Sequence, residues 1–214
     1  MDASFWYERW ERKEIAFHED EVNDFLVTHF ASLNVMPGAR VFIPLCGKTR
    51  DIAWLMSQGY QVVGAELSEL AVQELFEELE VDPEIITLEN HALYRAAGID
   101  IFVGDVFALT PDMVGEVNAI YDRAALVALP LETRKRYTQL LVTLTSCAPQ
   151  LVISYQYDQS KLDGPPFSIS QEELFQHYQA QFEISQQDLK AVEGCLKGQV
   201  EAVESVWLLQ PTSC

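Results

Sequence analysis

Short apolar runs recur along the first three quarters of the chain. They are nearly continuous in Val, Ile, Leu and Phe, which is typical of strands buried on both faces of a parallel sheet. The runs are RVFIPL at 40–45, QVVGAE at 61–66, DIFVGD at 100–105, NAIYDR at 118–123 and QLVISYQYD at 150–158.

Helical periodicity separates these runs. Val22, Phe25, Leu26, Phe30 and Leu33 repeat at a spacing that predicts one packed helix over 19–33, and further helices are predicted at 51–58, after an N-cap at Ser68, and at 132–146. Strands that alternate with helices predict an α/β fold with a doubly wound parallel sheet.

The end of the chain departs from this alternation. Segments 182–189 and 200–209 have strand character with no helix between them, so we expect an antiparallel pair. The Pro- and Gly-rich loop LDGPPF at 162–167 is a candidate lid.

The net charge of the chain limits the kinds of molecule that it can bind. With 33 acidic and 14 basic residues the net charge is -19, which disfavours binding to nucleic acid or to an anionic membrane and leaves small molecules. The acidic run from Glu74 to Glu84 is interpreted as a solvated helix face.

The four cysteines, Cys46, Cys147, Cys195 and Cys214, are widely spaced and form no C-x-x-C metal pattern. We therefore expect a reducing, cytoplasmic setting. The N-terminus has no apolar signal region and no stretch reaches the length of a membrane span, so neither export nor insertion is expected.

Candidate chemistry lies where the strands end, because ligands of open parallel sheets bind beyond the carboxyl ends of the strands. Glu66 ends the second run and could accept hydrogen bonds from ribose hydroxyls, or simply favour the dipole of the next helix. Asp105 could accept from an adenine amino group or cap a helix. Arg123 could hold an anion or form a salt bridge.

Two nucleotide-binding patterns fit poorly. The turn at 44–50 has one glycine rather than G-x-G-x-x-G, which disfavours NAD or FAD. The triplet Gly47-Lys48-Thr49 resembles the end of a P-loop, but Phe42 stands where the first glycine of that motif belongs.

Five segments, in order, resemble the thiopurine S-methyltransferase family, especially its bacterial members. They are FWYERWERKEIAFH at 5–18, VFIPLCGKTRDIAWL at 41–55, GYQVVGAELSELAVQELF at 59–76, YDRAALVAL at 121–129 and DGPPFSIS at 163–170.

The resemblance implies a class I, Rossmann-like methyltransferase fold, with seven strands and an antiparallel last strand. It implies a single domain over 1–214 whose residues 1–35 form a helical extension covering the cofactor site. The implied cofactor is S-adenosylmethionine, with S-adenosylhomocysteine as product and no metal. The implied partner is a small thiol or chalcogen substrate, and we expect a monomer.

The resemblance also implies the site residues. Those implied for the cofactor are Trp10, Leu45, Cys46, Gly47, Glu66, Leu67, Asp105, Val106 and Arg123. Those implied for the substrate are Phe17, Pro166 and Phe167, the last two in the loop that begins at Pro165. Arg123 is also the expected catalytic residue, since a nearby cation stabilises a thiolate.

Several alternatives stay open. Segment 185–199 has only Lys190 and Lys197 where mammalian members carry a second active-site arginine, so small thiols or selenium and tellurium oxyanions compete with thiopurines as substrates. His18 and Cys46 are interpreted as structural. A protein that binds the cofactor without transferring its methyl group is the alternative to an enzyme.

Overall fold

The computed structural model describes residues 3–212, so Cys214 lies outside the described residues. Its centre is one nine-stranded sheet with the strand order β3-β4-β5-β2-β1-β6-β7-β9-β8. The strands are β1 (Arg40–Pro44), β2 (Gln61–Glu66), β3 (Glu84–Thr87), β4 (Ala92–Ala96), β5 (Ile99–Val103), β6 (Ala119–Arg123), β7 (Gln150–Tyr157), β8 (Phe182–Ala191) and β9 (Ala202–Pro211).

Within residues 3–212, seven α-helices connect or flank these strands. They are α1 (Ala3–Glu11), α2 (Asp24–His29), α3 (Asp51–Ser57), α4 (Glu69–Glu78), α5 (Pro111–Val114), α6 (Leu131–Leu144) and α7 (Gln171–Tyr178). Across residues 3–212, no helix combines the length and the apolar character needed to cross a bilayer.

The five predicted strands are confirmed and lie side by side in parallel, in the order β5-β2-β1-β6-β7. Both faces of this sheet are covered, because neighbouring residues of a strand enter different apolar clusters: Val62 and Tyr121 join one, Val63 and Ile120 the other. Burial on both sides explains why the runs are continuously apolar.

The sheet has nine strands rather than the expected seven, because β3 and β4 were not predicted from the sequence. β3 and β4 form an antiparallel hairpin that pairs β4 with the edge of β5. These strands are short, and Ile85 in β3 is 56% exposed. An edge strand need not bury a continuous apolar run, so its sequence carries little signal.

The predicted antiparallel end of the sheet is confirmed. β9 runs antiparallel to both β7 and β8 and is inserted between them. Because of this direction, the first residues of β9 lie beside the last residues of β7: Tyr155 faces Glu204 across the pair.

The single helix expected over 19–33 is wrong. Helix α2 begins only at Asp24, since the Asn23 side chain accepts hydrogen bonds from the backbone of Phe25 and Leu26 and so caps it. A 3₁₀ turn then continues over Phe30–Leu33. The residues before Asn23 form the irregular segment 12–22. The cap at Ser68 is confirmed, because its hydroxyl accepts from the backbone of Ala71.

Asp122 is a fully buried carboxyl group at the end of β6. It accepts hydrogen bonds from the Tyr137 hydroxyl at 2.7 Å and from the backbone N–H of Leu126 at 2.9 Å. Burial nevertheless dominates and raises the pKa of Asp122 to about 6. Asp122 thus ties helix α6 to the strand that ends in Arg123.

This carboxyl group predicts a pH-dependent contribution to stability. Because its pKa is higher in the folded chain than in the unfolded chain, the contribution is present at low pH and is lost as pH rises through about 6. We expect Asp122→Asn, which can keep both hydrogen bonds, to remove a loss of about 1–2 kcal/mol between pH 5 and pH 8. Urea unfolding of both proteins across this range measures the difference, and parallel curves would contradict the assignment.

Candidate active site

A cavity of about 1240 Å³ opens at the carboxyl ends of β1, β2, β6 and β7. Its floor includes Leu45, Glu66, Arg123 and Ile153, and residues 13–20 of the N-terminal segment lie along its rim. A second depression, of about 850 Å³, lies at the opposite edge of the sheet, where loop residues such as Ala39, Asn118 and Pro149 precede the strands. The first cavity therefore lies at the predicted strand ends that carry Glu66 and Arg123.

Glu66 is buried at the end of β2 and joins two turns of backbone. One carboxylate oxygen accepts from the N–H of Gly47 and the other from the N–H of Ser68, each at 2.8 Å. Burial raises the pKa of Glu66, while these N–H donors lower it. The carboxylate thus fixes both the turn after β1 and the start of α4, and each oxygen keeps a further lone pair for a ligand.

The turn after β1 has a left-handed backbone at two positions. Leu45 has φ of 48° and Gly47 has φ of 52°. A side chain on Gly47 would come to 3.0 Å from the Trp10 ring, so the indole and the turn are in close contact. Trp10 is 2% exposed and lines the cavity, which places it both in the core and at the site.

Three aromatic rings form the roof of the cavity. Phe17 packs edge-to-face on Trp10 and on Trp6, with ring centroids 5.6 and 5.8 Å apart. Such contacts add to the apolar area that the rings bury. The structure therefore brings the predicted residues Trp10 and Phe17 together above the strand ends.

A salt-bridge network joins the N-terminal segment and the turn after β1 to helix α4. Lys13 of the N-terminal segment pairs with Glu74 of α4, and Lys48 pairs with both Glu74 and Glu78, at 3.0 and 2.7 Å. Arg50 also reaches Glu78, at 3.4 Å. The interpretation of the acidic run as a solvated face is therefore wrong for Glu74 and Glu78, which hold cations at the rim.

The same contacts bear on the P-loop alternative. The Lys48 ammonium that a P-loop would turn toward phosphate is engaged by two carboxylates. Both raise the pKa of Lys48, against the lowering effect of burial. A cation already neutralised in this way is poorly suited to hold a triphosphate.

Arg123 ends β6 at the cavity floor and forms a salt bridge with Glu19, at 2.5 Å. Its side chain is only 8% exposed, whereas that of Glu19 is 45% exposed. Burial alone would lower the pKa of Arg123, but Glu19, Tyr121, Asp51 and Tyr155 together outweigh this effect and raise the pKa. The salt bridge foreseen as an alternative is thus present, and Arg123 also lines the cavity.

Two polar residues beside Arg123 were missed by the sequence analysis. Tyr155 and Glu204 are cross-strand partners on β7 and β9, and both line the cavity. Tyr155 lies within the strand predicted at 150–158, and Glu204 lies within the strand predicted at 200–209, but neither prediction gave these side chains a role. No local motif marks either residue.

The predicted lid is held in place at its carbonyl groups. Lys197 donates to the carbonyl of Pro165, and the Tyr157 hydroxyl to that of Pro166, both at 2.6 Å. Pro165 and Pro166 line the cavity. Phe167 does not: its ring lies 5.6 Å from the guanidinium of Arg134 and anchors the loop, so its expected contact with substrate stays a prediction.

The remaining predicted residues divide into two groups. Leu67 lines the cavity, whereas Cys46, Asp105 and Val106 do not. Cys46 is a buried free thiol, as expected of a packing residue. The Asp105 carboxylate accepts from the N–H of Phe107 and caps a 3₁₀ turn, so the capping alternative is confirmed and the adenine contact stays a prediction.

His18 also lines the cavity, on the side of Lys48 and Arg50. Burial and the Lys48 charge lower its pKa, although Glu78 raises it. Among residues 3–212 no group of three or more His, Cys, Asp or Glu side chains could hold a metal ion.

Comparisons with known proteins identify a family that matches nearly the whole chain. The profile of the family described as "Thiopurine S-methyltransferase (TPMT)" matches residues 1–210. The thiopurine S-methyltransferase of Xanthobacter autotrophicus is 56% identical over 211 residues, covering 98% of this chain and 99% of that protein. That of Teredinibacter turnerae is 48% identical over 209 residues, covering 98% and 97%.

Solved structures share the fold at low sequence identity. An SAM-dependent methyltransferase from Anabaena variabilis superimposes with a TM-score of 0.62 at 16% identity, covering 97% of this chain and 95% of the other. The 1,6-didemethyltoxoflavin-N1-methyltransferase of Burkholderia thailandensis, solved with S-adenosylhomocysteine, gives 0.66 at 15% identity, covering 97% and 87%. The class I fold is thereby confirmed.

The contact between Trp10 and Gly47 yields a prediction. In Gly47→Ala the new methyl group meets the indole and the left-handed backbone disfavours it, so we expect a loss of stability of about 2–4 kcal/mol and displacement of Trp10. Gly194→Ala is the matched control, since φ there is 69° but nothing lies within 4 Å. Urea unfolding and tryptophan emission report both effects; equal losses in the two variants would show that the ring contact is unimportant.

Proposed function

Since this chain belongs to the thiopurine S-methyltransferase family, we propose that it transfers a methyl group from S-adenosylmethionine to the sulfur of aromatic or heterocyclic thiols such as thiopurines. Selenium and tellurium compounds are the further acceptors that we propose for the same site. One observation carries the proposal. Glu66, at the end of β2, and Arg123, at the end of β6, lie on the floor of one cavity on either side of β1, beneath a roof of aromatic rings.

The chain's own residues fit the donor. Glu66 is fixed by two backbone N–H groups and is positioned to accept from ribose hydroxyls. Leu45, Gly47 and Leu67 line the same cavity. The turn that carries Leu45 and Gly47 would receive the methionine part of the donor, and Leu67 would flank the adenosine part. We propose that the extension 1–35 closes over this donor through Trp10, whose ring packs on the Gly47 turn.

Bound S-adenosylmethionine supplies an electrophilic methyl group on a sulfonium. The chain then has to align the acceptor in line with that methyl group and exclude water. Phe17 and the loop at Pro165 and Pro166 line the acceptor side of the cavity and provide an apolar enclosure. Arg123 supplies positive charge there, which stabilises a thiolate relative to a thiol.

The cytoplasmic location and the monomeric state belong to the same proposal. They rest on the sequence alone: the wide spacing of the cysteines and the acidic surface.

Donor binding is tested with Glu66→Ala. We expect it to weaken binding of S-adenosylhomocysteine about 10- to 100-fold, because hydrogen bonds to a charged group contribute about 1.5–3 kcal/mol. Glu77→Ala, an exposed position on α4, is the control. Calorimetry gives the Kd values and thermal unfolding shows whether the variants fold. Failure of the unaltered protein to bind either S-adenosylmethionine or S-adenosylhomocysteine would overturn the proposed function.

Transfer is tested with labelled S-adenosylmethionine and a panel of thiopurines, thiophenols, selenite and tellurite. Arg123→Ala should lower kcat/KM for thiols about 100-fold and move the pH profile to higher pH, since the thiolate loses its nearby cation. Arg136→Ala, an exposed arginine on α6, should leave both unchanged. Donor binding without transfer to any acceptor would instead identify a protein that binds the cofactor without catalysis.

A further inference from the structure

Three polar side chains converge on the cavity from three adjacent strands. Arg123 continues the face of β6 that carries Tyr121, and Tyr155 continues the face of β7 that carries Ile153. Glu204 lies opposite Tyr155 on β9 and therefore shares this face. The apolar face of the sheet thus ends in a polar cluster directly beneath the cavity.

Glu204 is the carboxyl group of this cluster that belongs to the sheet. It is partly buried, and its carboxylate interacts with the neighbouring Tyr155 hydroxyl. Burial raises the pKa of Glu204, against the lowering effects of that hydroxyl, of Arg123 and of Lys190 on β8; Glu19 on the N-terminal segment raises it further. The group is therefore a better proton acceptor than an ordinary surface glutamate.

The polar groups beside Glu204 are unsuited to accept a proton. Arg123 cannot be deprotonated in a protein and has no lone pair to offer. Burial and the neighbouring Glu204 carboxylate raise the pKa of Tyr155, which keeps its hydroxyl protonated. The Glu19 carboxylate is engaged with the Arg123 guanidinium.

His18 occupies a different part of the cavity. The charges that act on its pKa are those of Lys48, Glu78, Arg50 and Asp20, which belong to the cavity rim. The cluster of Arg123, Tyr155 and Glu204 lies instead at the ends of β6, β7 and β9. Glu66, the other strand-end carboxylate of the floor, lies at the end of β2 and is held by the N–H groups of Gly47 and Ser68. Among the described residues that line the cavity, Glu204 is therefore the carboxylate beside the ends of β6 and β7 that is not held in a salt bridge of its own.

Building on the proposed function, we propose that Glu204 accepts the proton of a neutral acceptor thiol during methyl transfer. The sulfur lone pair of the thiol forms the new bond to the methyl carbon. The bond between that carbon and the sulfonium breaks, and its electron pair stays on the donor sulfur. The S–H proton moves to the Glu204 carboxylate and then to water, which restores the carboxylate for the next turnover.

This role predicts that the need for Glu204 depends on the acceptor. Phenylmethanethiol carries an alkyl thiol that, like cysteine with a pKa of about 8.5, is mostly protonated at pH 7. 4-Nitrothiophenol is mostly thiolate at that pH, because its nitro group withdraws charge from sulfur. A proton acceptor in the protein matters only for the first.

The experiment compares Glu204→Gln with Glu201→Gln, which removes the same charge at an exposed position just before β9. Glu204→Gln should lower kcat/KM for phenylmethanethiol about 100-fold and leave 4-nitrothiophenol little changed. Its rate with phenylmethanethiol should also rise with pH toward the pKa of that thiol. Glu201→Gln should match the unaltered protein with both acceptors.

The possible results separate the two proposals. If the unaltered protein methylates both thiols but Glu204→Gln loses the same factor with each, or loses nothing with either, Glu204 is not the proton acceptor and the proposed function stands. If the unaltered protein binds S-adenosylhomocysteine but methylates no thiol, both proposals fail. Calorimetry and thermal unfolding of Glu204→Gln show whether an equal loss reflects a damaged fold, which would also count against the proposal.

Discussion

The carboxylate of Glu66 is the contact on which the site depends. It binds the backbone N–H groups of Gly47 and Ser68 at once, so that the ends of two adjacent strands hold a single geometry. Burying a carboxylate costs free energy, and its hydrogen bonds offset that cost. Without this contact neither the turn beneath Trp10 nor the start of α4 would have a fixed position relative to the cavity.

Ion pairs between basic and acidic side chains are the second constraint on the geometry of the site. The chain has an excess of acidic residues, and three described cations of the cavity lie against carboxylates: Lys13 and Lys48 on Glu74, and Arg123 on Glu19. These contacts join the N-terminal segment to α4 and to β6. The electrostatic field of the site is therefore set by pairs, and the effect of Arg123 on a ligand depends on how closely Glu19 follows it.

Local pattern predicted the elements whose burial is complete. The five central strands were found because both of their faces are covered, and the cap at Ser68 because its hydroxyl satisfies a helix N–H. The pattern failed where burial is partial. The hairpin β3-β4 lies at an edge, and the supposed helix over 19–33 is interrupted by the cap at Asn23, which fixes the helix start at Asp24.

The sequence by itself determined the strand ends that carry Gly47, Glu66 and Arg123, because parallel strands place their carboxyl ends at one edge whatever the details of packing. The tertiary structure alone decided what meets them there. Glu19 reaches Arg123 because the chain before Asn23 is not helical, and Glu204 arrives beside Tyr155 because β9 runs antiparallel between β7 and β8. Strand order and register join residues far apart in the chain, and no local spacing encodes them.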